Sequence, residues 1–244
     1  RFCIKIVEKL LEGIDVKDKY YYGMFMCIYG RALRSKDFFK ESEDALRKGI
    51  DALKDLGDSE GLASALNAMG TIYSEYYNDI EKAKNYFEKV LNVCQRINNV
   101  NYMMYSYNNL GEMCRIQSKL EESLDYYNKA LSLAEHSKNI YVEVNLYVNT
   151  ANIRFQKESY REYIDSMAKA KDILLKYKES GETSKYYYIN KGLFFYKMGE
   201  YKKALDYTQK SVDMCINWGI KADLEAVAIK KLCKVKLGEN LSIK

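Results

Sequence analysis

A chain of 244 residues with 48% hydrophobic and 30% charged side chains has ample apolar surface for an ordered core, which excludes a disordered polymer. Its net charge of +5 comes from 39 basic and 34 acidic residues spread along the whole length, so no block of like charge marks a nucleic-acid or membrane surface. No stretch approaches the roughly 18 apolar residues of a membrane span, and none reads as a signal peptide.

Proline is absent, which suits a chain that is helical nearly throughout, and tyrosine occurs 24 times. Two readings of the tyrosines stay open: an aromatic binding surface, or an AT-rich genome that encodes Tyr, Lys, Asn and Ile freely. Cys3, Cys27, Cys94, Cys114, Cys215 and Cys233 form no CxxC pair and no cluster with histidine. Each falls inside a helical apolar pattern, so they are expected to be reduced thiols in a cytoplasmic protein rather than disulfides.

In chain order, the first apolar run is 2–12 (FCIKIVEKLLE). Five longer units follow, each built on a small residue inside an apolar helix: CIYGRAL at Gly30, NAMGTIY at Gly70, NNLGEMC at Gly111, VNTANIRF at Ala151 and INKGLFF at Gly192. The intervals are 40, 41, 40 and 41 residues. A second landmark follows at i, i+4, i+7: Ser42, Leu46 and Gly49 (the weakest), then Ala83, Phe87 and Val90, Ser123, Tyr127 and Ala130, Tyr163, Met167 and Ala170, and Ala204, Thr208 and Ser211. Those spacings put each trio on one helix stripe. Short polar turns such as YYND (76–79), QSKL (117–120) and MGEY (198–201) separate the two landmarks, while Gly57, Asn98, Asn99, Asn139, Gly181 and Gly219 are expected to supply turns between units. Each unit therefore reads as helix, tight turn, helix, and stacked units would give a superhelix with a concave inner face.

Counting by one period places 2–12 as a second helix without its first, and 221–237 as a first helix without its second. The expected organisation is one array over 1–244: a partial repeat at 1–18, five repeats over about 19–220, and a partial repeat at 221–244. The chain starts at Arg1 without a methionine, and Phe2, Ile4, Ile6, Leu10 and Leu11 are too apolar for a capping helix. A longer parent protein is therefore expected, and the apolar edge is compatible with a homodimer.

The segments NNLGEMCRIQSKLEESLDYYNKALSLAE (108–135) and MGEYKKALDYTQKSV (198–212) resemble the tetratricopeptide repeat family. Gly49, Tyr163 and Ala151 depart from its pattern, and the period exceeds the family's usual 34 residues. Long-period arrays of this kind look similar to those of bacterial regulators. The resemblance implies an all-α, right-handed α-solenoid of helix-turn-helix repeats, and a role in recognising proteins or peptides.

Nothing in the chain resembles a phosphate loop, a nucleophile elbow or a metal-spaced cluster, and the single histidine, His136, reads as exposed near a helix end. No catalysis, cofactor or metal is expected. In this architecture the first helix of each repeat lines the groove. Two residues before the small landmark stand Ile28, Ala68, Asn109, Asn149 and Asn190. Asn67 and Asn108 come one residue earlier in their repeats, and Asn152 one after the landmark. An amide donates and accepts at once, so such a column can grip a peptide backbone, or it can bond helix to helix. Tyr105 and Tyr186 are candidate side-chain contacts. Arg31, Arg34, Glu75, Glu112, Arg115 and Lys197 are the expected groove charges, giving a mainly neutral groove with a basic end at Arg31 and Arg34. Phe155 and Tyr196 would add aromatic surface.

The Tyr-rich runs 20–23, 75–79 and 186–190 read as helix seams or as docking patches, and Trp218 as packing. Two function classes follow: a scaffold binding a protein or peptide in its groove, or a regulatory segment of a larger signalling protein (a cyclase or transcription regulator) that docks on its own output domain or dimerises. Neither nucleic acid nor membrane is an expected partner.

Overall fold

In the computed structural model six of the helices open on a side-chain cap that the sequence supplies. Backbone N–H groups of Tyr21, Leu62, Lys82, Tyr102, Val142 and Glu225 donate to the side chains of Asp18, Ser59, Asp79, Asn99, Asn139 and Asp223. Each cap satisfies one of the orphan donors of a helix start. Asn99 and Asn139, expected as turn formers, are thus N-caps, and Gly181, also expected in a turn, is the first residue of its helix. The structure describes residues 2–15, 17–137, 139–177, 181–217, 219 and 222–238, with backbone alone for 2–4, 136, 181 and 182. Trp218 and the side chains of Phe2, Cys3, Ile4 and His136 lie outside what is described.

The helices fall into two compact units, residues 1–137 and 138–244. The first holds α1 (Phe2–Glu12), α2 (Lys19–Arg34), α3 (Phe39–Leu53, continued by a 3-10 turn at Lys54–Leu56), α4 (Glu60–Glu75), α5 (Ile80–Arg96), α6 (Val100–Ile116) and α7 (Leu120–Ser137). The second holds α8 (Ile140–Gln156), α9 (Tyr160–Lys176), α10 (Gly181–Lys197), α11 (Tyr201–Asn217) and α12 (Leu224–Lys236). No strand occurs among the described residues, and no described helix is long and apolar enough to cross a membrane.

Within each unit, consecutive helices pair as hairpins and first helices lie beside first helices: α2 by α4 and α4 by α6, then α8 by α10 and α10 by α12. Each unit is therefore a stack of helix-turn-helix pairs of α-solenoid type, with first helices in one layer and second helices in the other. The hairpin turns repeat as closely as the landmarks do. Asp37, Asn78, Ser118, Glu158 and Gly199 all adopt left-handed backbone, with φ of 65°, 53°, 59°, 58° and 76°.

The small landmarks are explained by what stands opposite. A Cβ on Gly70 would lie 2.5 Å from Phe87 Cε1, and one on Gly111 2.6 Å from Tyr127 Cε1. Gly49 stands where alanine is usual because α2 and α3 approach there: a Cβ would meet Cys27 Sγ at 2.5 Å and the Gly23 carbonyl at 2.9 Å. Serine seals two of the hairpins. Ser42 and Ser123 donate to the carbonyls of Gly30 and Gly111 at 2.6 and 2.7 Å, both with the serine fully buried. Phe87, Tyr127, Tyr163 and Met167 fill the interior at 0–1% exposure. The described cysteines are all buried free thiols.

Candidate binding faces on the first helices

The first-helix layer of unit 1 carries Arg31 and Arg34 on α2, Asn67 on α4, and Tyr105, Asn108, Asn109 and Arg115 on α6. The repeat period brings positions about 40 residues apart side by side, and there the amides meet. Asn109 Nδ2 donates to Asn67 Oδ1 at 3.1 Å, both side chains half-buried. Asn108 is half-buried as well, and Tyr105 is exposed, its ring edge-on to Tyr102 at 6.2 Å. Charges on this layer are mostly paired. Arg34 Nη1 lies 3.6 Å from Glu75, and the Arg34 Nε is buried with no hydrogen-bond partner. Arg115 grips Glu112 with Nε at 2.8 Å and Nη2 at 2.5 Å, and Glu112 also accepts from Tyr127 at 3.1 Å. The basic end expected at Arg31 and Arg34 is thus reduced, because Arg34 faces a carboxylate one repeat away. Arg31 is exposed.

Unit 2 builds a denser arrangement on α8 and α10. Tyr186 Oη donates to Asn149 Oδ1 at 2.7 Å, and Asn152 Nδ2 donates to Asn190 Oδ1 at 2.8 Å. Asn190 Nδ2 in turn donates to the Tyr186 carbonyl at 2.9 Å, one helical turn back. Asn190 is only 8% exposed, with both amide atoms engaged, so it meets a ligand only by exchanging one of these bonds. Lys197 lies over the Phe155 ring at 5.4 Å, which spreads its charge onto an aromatic face.

The structure thus brings together Asn67 with Asn109, and Asn149, Asn152, Tyr186 and Asn190 with one another. The sequence columns left open whether these amides grip a peptide backbone or bond helix to helix, and did not say which residues pair. The signal for the pairing was nonetheless present, since separations of 42, 38 and 37 residues bracket the repeat period. Of the tyrosine runs, 75–79 joins a seam: Tyr73 and Tyr77 donate to Glu43 at 2.9 and 2.6 Å, and Tyr76 stacks on Phe39 at 4.7 Å. Tyr187 and Tyr188 are buried, whereas Tyr20 and Tyr21 stand 49% and 56% exposed. Among the described residues no group of three or more His, Cys, Asp or Glu is placed to hold a metal.

The helix pairs α4–α5 and α6–α7 coincide with residues 63–96 and 105–137, which match a family model for the tetratricopeptide repeat. The chain carries tetratricopeptide repeats. No curated protein matches it. Among solved structures, a Rap protein complexed with competence and sporulation factor is similar at TM-score 0.77 and 15% identity, over 96% of this chain and 64% of that one. BtubC from P. vanneervenii is similar at TM-score 0.66 and 14% identity, over 91% and 90%. Aspartyl phosphate phosphatase F from Bacillus subtilis is similar at TM-score 0.68 and 15% identity, over 96% and 64%. These likenesses are of fold. This chain spans 64% of the length of the Rap and phosphatase chains.

Proposed function

We propose that this protein is a non-catalytic scaffold that recognises a peptide or protein segment on the first-helix faces of its repeats. The observation that carries the reading is the set of amide and phenol groups joining neighbouring first helices, Asn67 with Asn109 and Asn149 with Tyr186. Such groups have more hydrogen-bonding capacity than one mutual bond uses: an amide has two N–H donors and a two-lone-pair oxygen. A polypeptide backbone laid along the row is served by the same atoms whatever its side chains, so selectivity falls to Tyr105 and Arg31, both exposed. The Rap structure with a bound factor supports ligand binding by this fold.

A second reading is a regulatory segment of a larger signalling protein that docks on its own output domain or dimerises. The test captures peptides from a random peptide library on the protein and on Asn109→Ala and Asn149→Ala, each checked for folding by circular dichroism. Loss of one hydrogen bond of about 0.5–1.5 kcal/mol corresponds to roughly two- to tenfold weaker binding. Retention of the same peptides at the same affinity by both variants would remove the amide rows from recognition.

A further inference from the structure

The two outermost described helices are half-repeats of opposite kind. α1 packs on α2 as α3 packs on α4, so it holds the place of a second helix. α12 packs on α11 and lies beside α10, so it holds the place of a first helix. Among the described residues neither has a hairpin partner.

The cap of α2 sets the register of α1. Ile6 stands twelve residues before the N-cap Asp18, as Phe87 stands before Asn99 and Tyr127 before Asn139, and 40 residues before Leu46. It therefore occupies the middle position of the second landmark, which in a complete repeat meets the small residue of the first helix. Leu46, Phe87, Tyr127, Met167 and Thr208 fill that position at 0–1% exposure, whereas Ile6 is 43% exposed and Leu10, one turn on, 44%. Leu11 packs instead with Met26 and Leu33 of α2.

α12 shows the matching gap. Its Ala226, Ile229 and Cys233 are buried in one cluster with Ala204 and Val212 of α11. Leu224, Ala228, Leu232 and Val235 succeed one another at intervals of four, four and three, a single stripe of the helix. All four are exposed, the leucines at 78% and 48% and the valine at 55%. Leu232 lies 40 residues after Gly192, at the landmark that a second helix covers in each complete repeat. A stack ordinarily ends on a helix with a polar outer face, and this stripe is apolar. Other exposed apolar side chains differ in kind: Ile216 shares its column with Gln95, Glu135 and Leu175, which are exposed as well, so no packing partner is missing there.

We infer that the chain associates head to tail, α12 of one copy taking α1 of a second copy as its missing second helix. The element lacking at each end is the element offered at the other, so one contact satisfies both. Helices of a hairpin run antiparallel here, Gly23 meeting Leu53 and Gly30 meeting Leu46. The same register sets Leu232 against Ile6 of the second copy and Ala228 against its Leu10. It also brings the second copy's α2 beside α12, as α4 lies beside α2. No glycine stands at the α12 landmark, so the two helices sit toward the upper end of the usual ~8–10 Å between packed axes. The contact is heterologous, so each joined pair still offers one free α1 and one free α12, and association continues until a ring closes. It uses none of the amide-row residues, so its failure leaves the peptide reading untouched.

Sedimentation equilibrium of the 244-residue chain, over a concentration series reaching about 100 μM, reads the mass. The expected mass exceeds the 28.5 kDa of one chain, and either rises with concentration or settles at a fixed multiple. The mass of one chain throughout overturns the inference. Ile6→Asp and Leu232→Asp each place a carboxylate in the apolar contact, and each is expected to weaken self-association at least roughly hundredfold. Both positions are exposed in the single chain, so both variants are expected to keep the circular dichroism of the original. The deciding arm mixes them. Leu232→Asp keeps an intact α1 and Ile6→Asp an intact α12, so the mixture is expected to form a 1:1 dimer and nothing larger. Self-association that survives in either variant alone assigns the contact to like ends, and a mixture that stays monomeric places it elsewhere; each result overturns the head-to-tail assignment.

Discussion

Replacing Gly70 with alanine tests the account of the hairpin interior most directly. Alanine is the better helix former by about 1 kcal/mol, so on helix propensity alone the change stabilises. The structure predicts the opposite sign. The new Cβ would lie 2.5 Å from Phe87 Cε1 and 2.8 Å from both Cδ1 and Cζ, against an ordinary carbon–carbon separation of about 3.5–4.0 Å. The ring would have to retreat by about 1 Å, yet Phe87 is 1% exposed and packed among Ala83, Leu110 and Met113. Overpacking of this depth sits at the upper end of the usual ~1–3 kcal/mol, leaving a net loss of about 2 kcal/mol once helix propensity is credited. Urea unfolding followed by circular dichroism measures it. The chain itself suggests the compensating change: the repeat with Ala151 at the landmark carries flexible Met167 sixteen residues later, and both are buried in one cluster. Phe87→Met alone is expected to cost under about 1.5 kcal/mol. Combining Phe87→Met with Gly70→Ala sets a flexible thioether opposite the new methyl group, and this double variant is expected to recover at least about 1 kcal/mol as coupling. A Gly70→Ala protein as stable as the original, or two changes that merely add, would refute the close-approach explanation of the landmark.

Three further outcomes are expected. Glu158 is exposed with φ 58° in a turn whose counterpart is Gly199, so Glu158→Gly should stabilise by about 0.5–1 kcal/mol in the same unfolding assay. Burial alone would raise the Glu43 carboxyl, but hydrogen bonds from Tyr77, Tyr73 and Arg47, with the Arg47 charge, outweigh it and hold the group below 4.5. Its contribution is therefore complete above that value and lost as pH falls through the lowered one, so acid unfolding should flatten in Glu43→Gln. Burial, opposed by Arg31, pushes the Cys27 thiol up to about 12, and burial takes Cys94 and Cys114 to about 11. Thiol labelling of these three at pH 8 should therefore wait for unfolding, which a denaturant series of labelling rates would show.

What was legible in the sequence was whatever depends on near neighbours in the chain. Gly70 and Phe87 lie seventeen residues apart inside one hairpin, and a helix needs only its own period, so landmarks, turns and even the lone helices α1 and α12 could be counted out. Capping was half legible. Asn99 and Asn139 were rightly seen at boundaries, but whether an asparagine ends one helix or starts the next depends on its backbone angle. The binding faces were less legible because the decisive relation runs across repeats. Asn109 meets Asn67 rather than its own column mate Ala68, and Asn152 meets Asn190, since neighbouring first helices pack with a stagger that a column alignment sets to zero. The same limit hid the contact of Lys191 with the Tyr163 ring: Tyr163 was visible as an exception and Lys191 was not, because a lysine looks ordinary until its column, Met69, Leu110 and Thr150 in other repeats, is known to be buried. A repeat protein thus announces its scaffold through what recurs, while its specific chemistry gathers where two irregular positions from adjacent units come into contact. Tyr163 and Lys191 do so here, the ammonium lying 5.7 Å from the ring centroid.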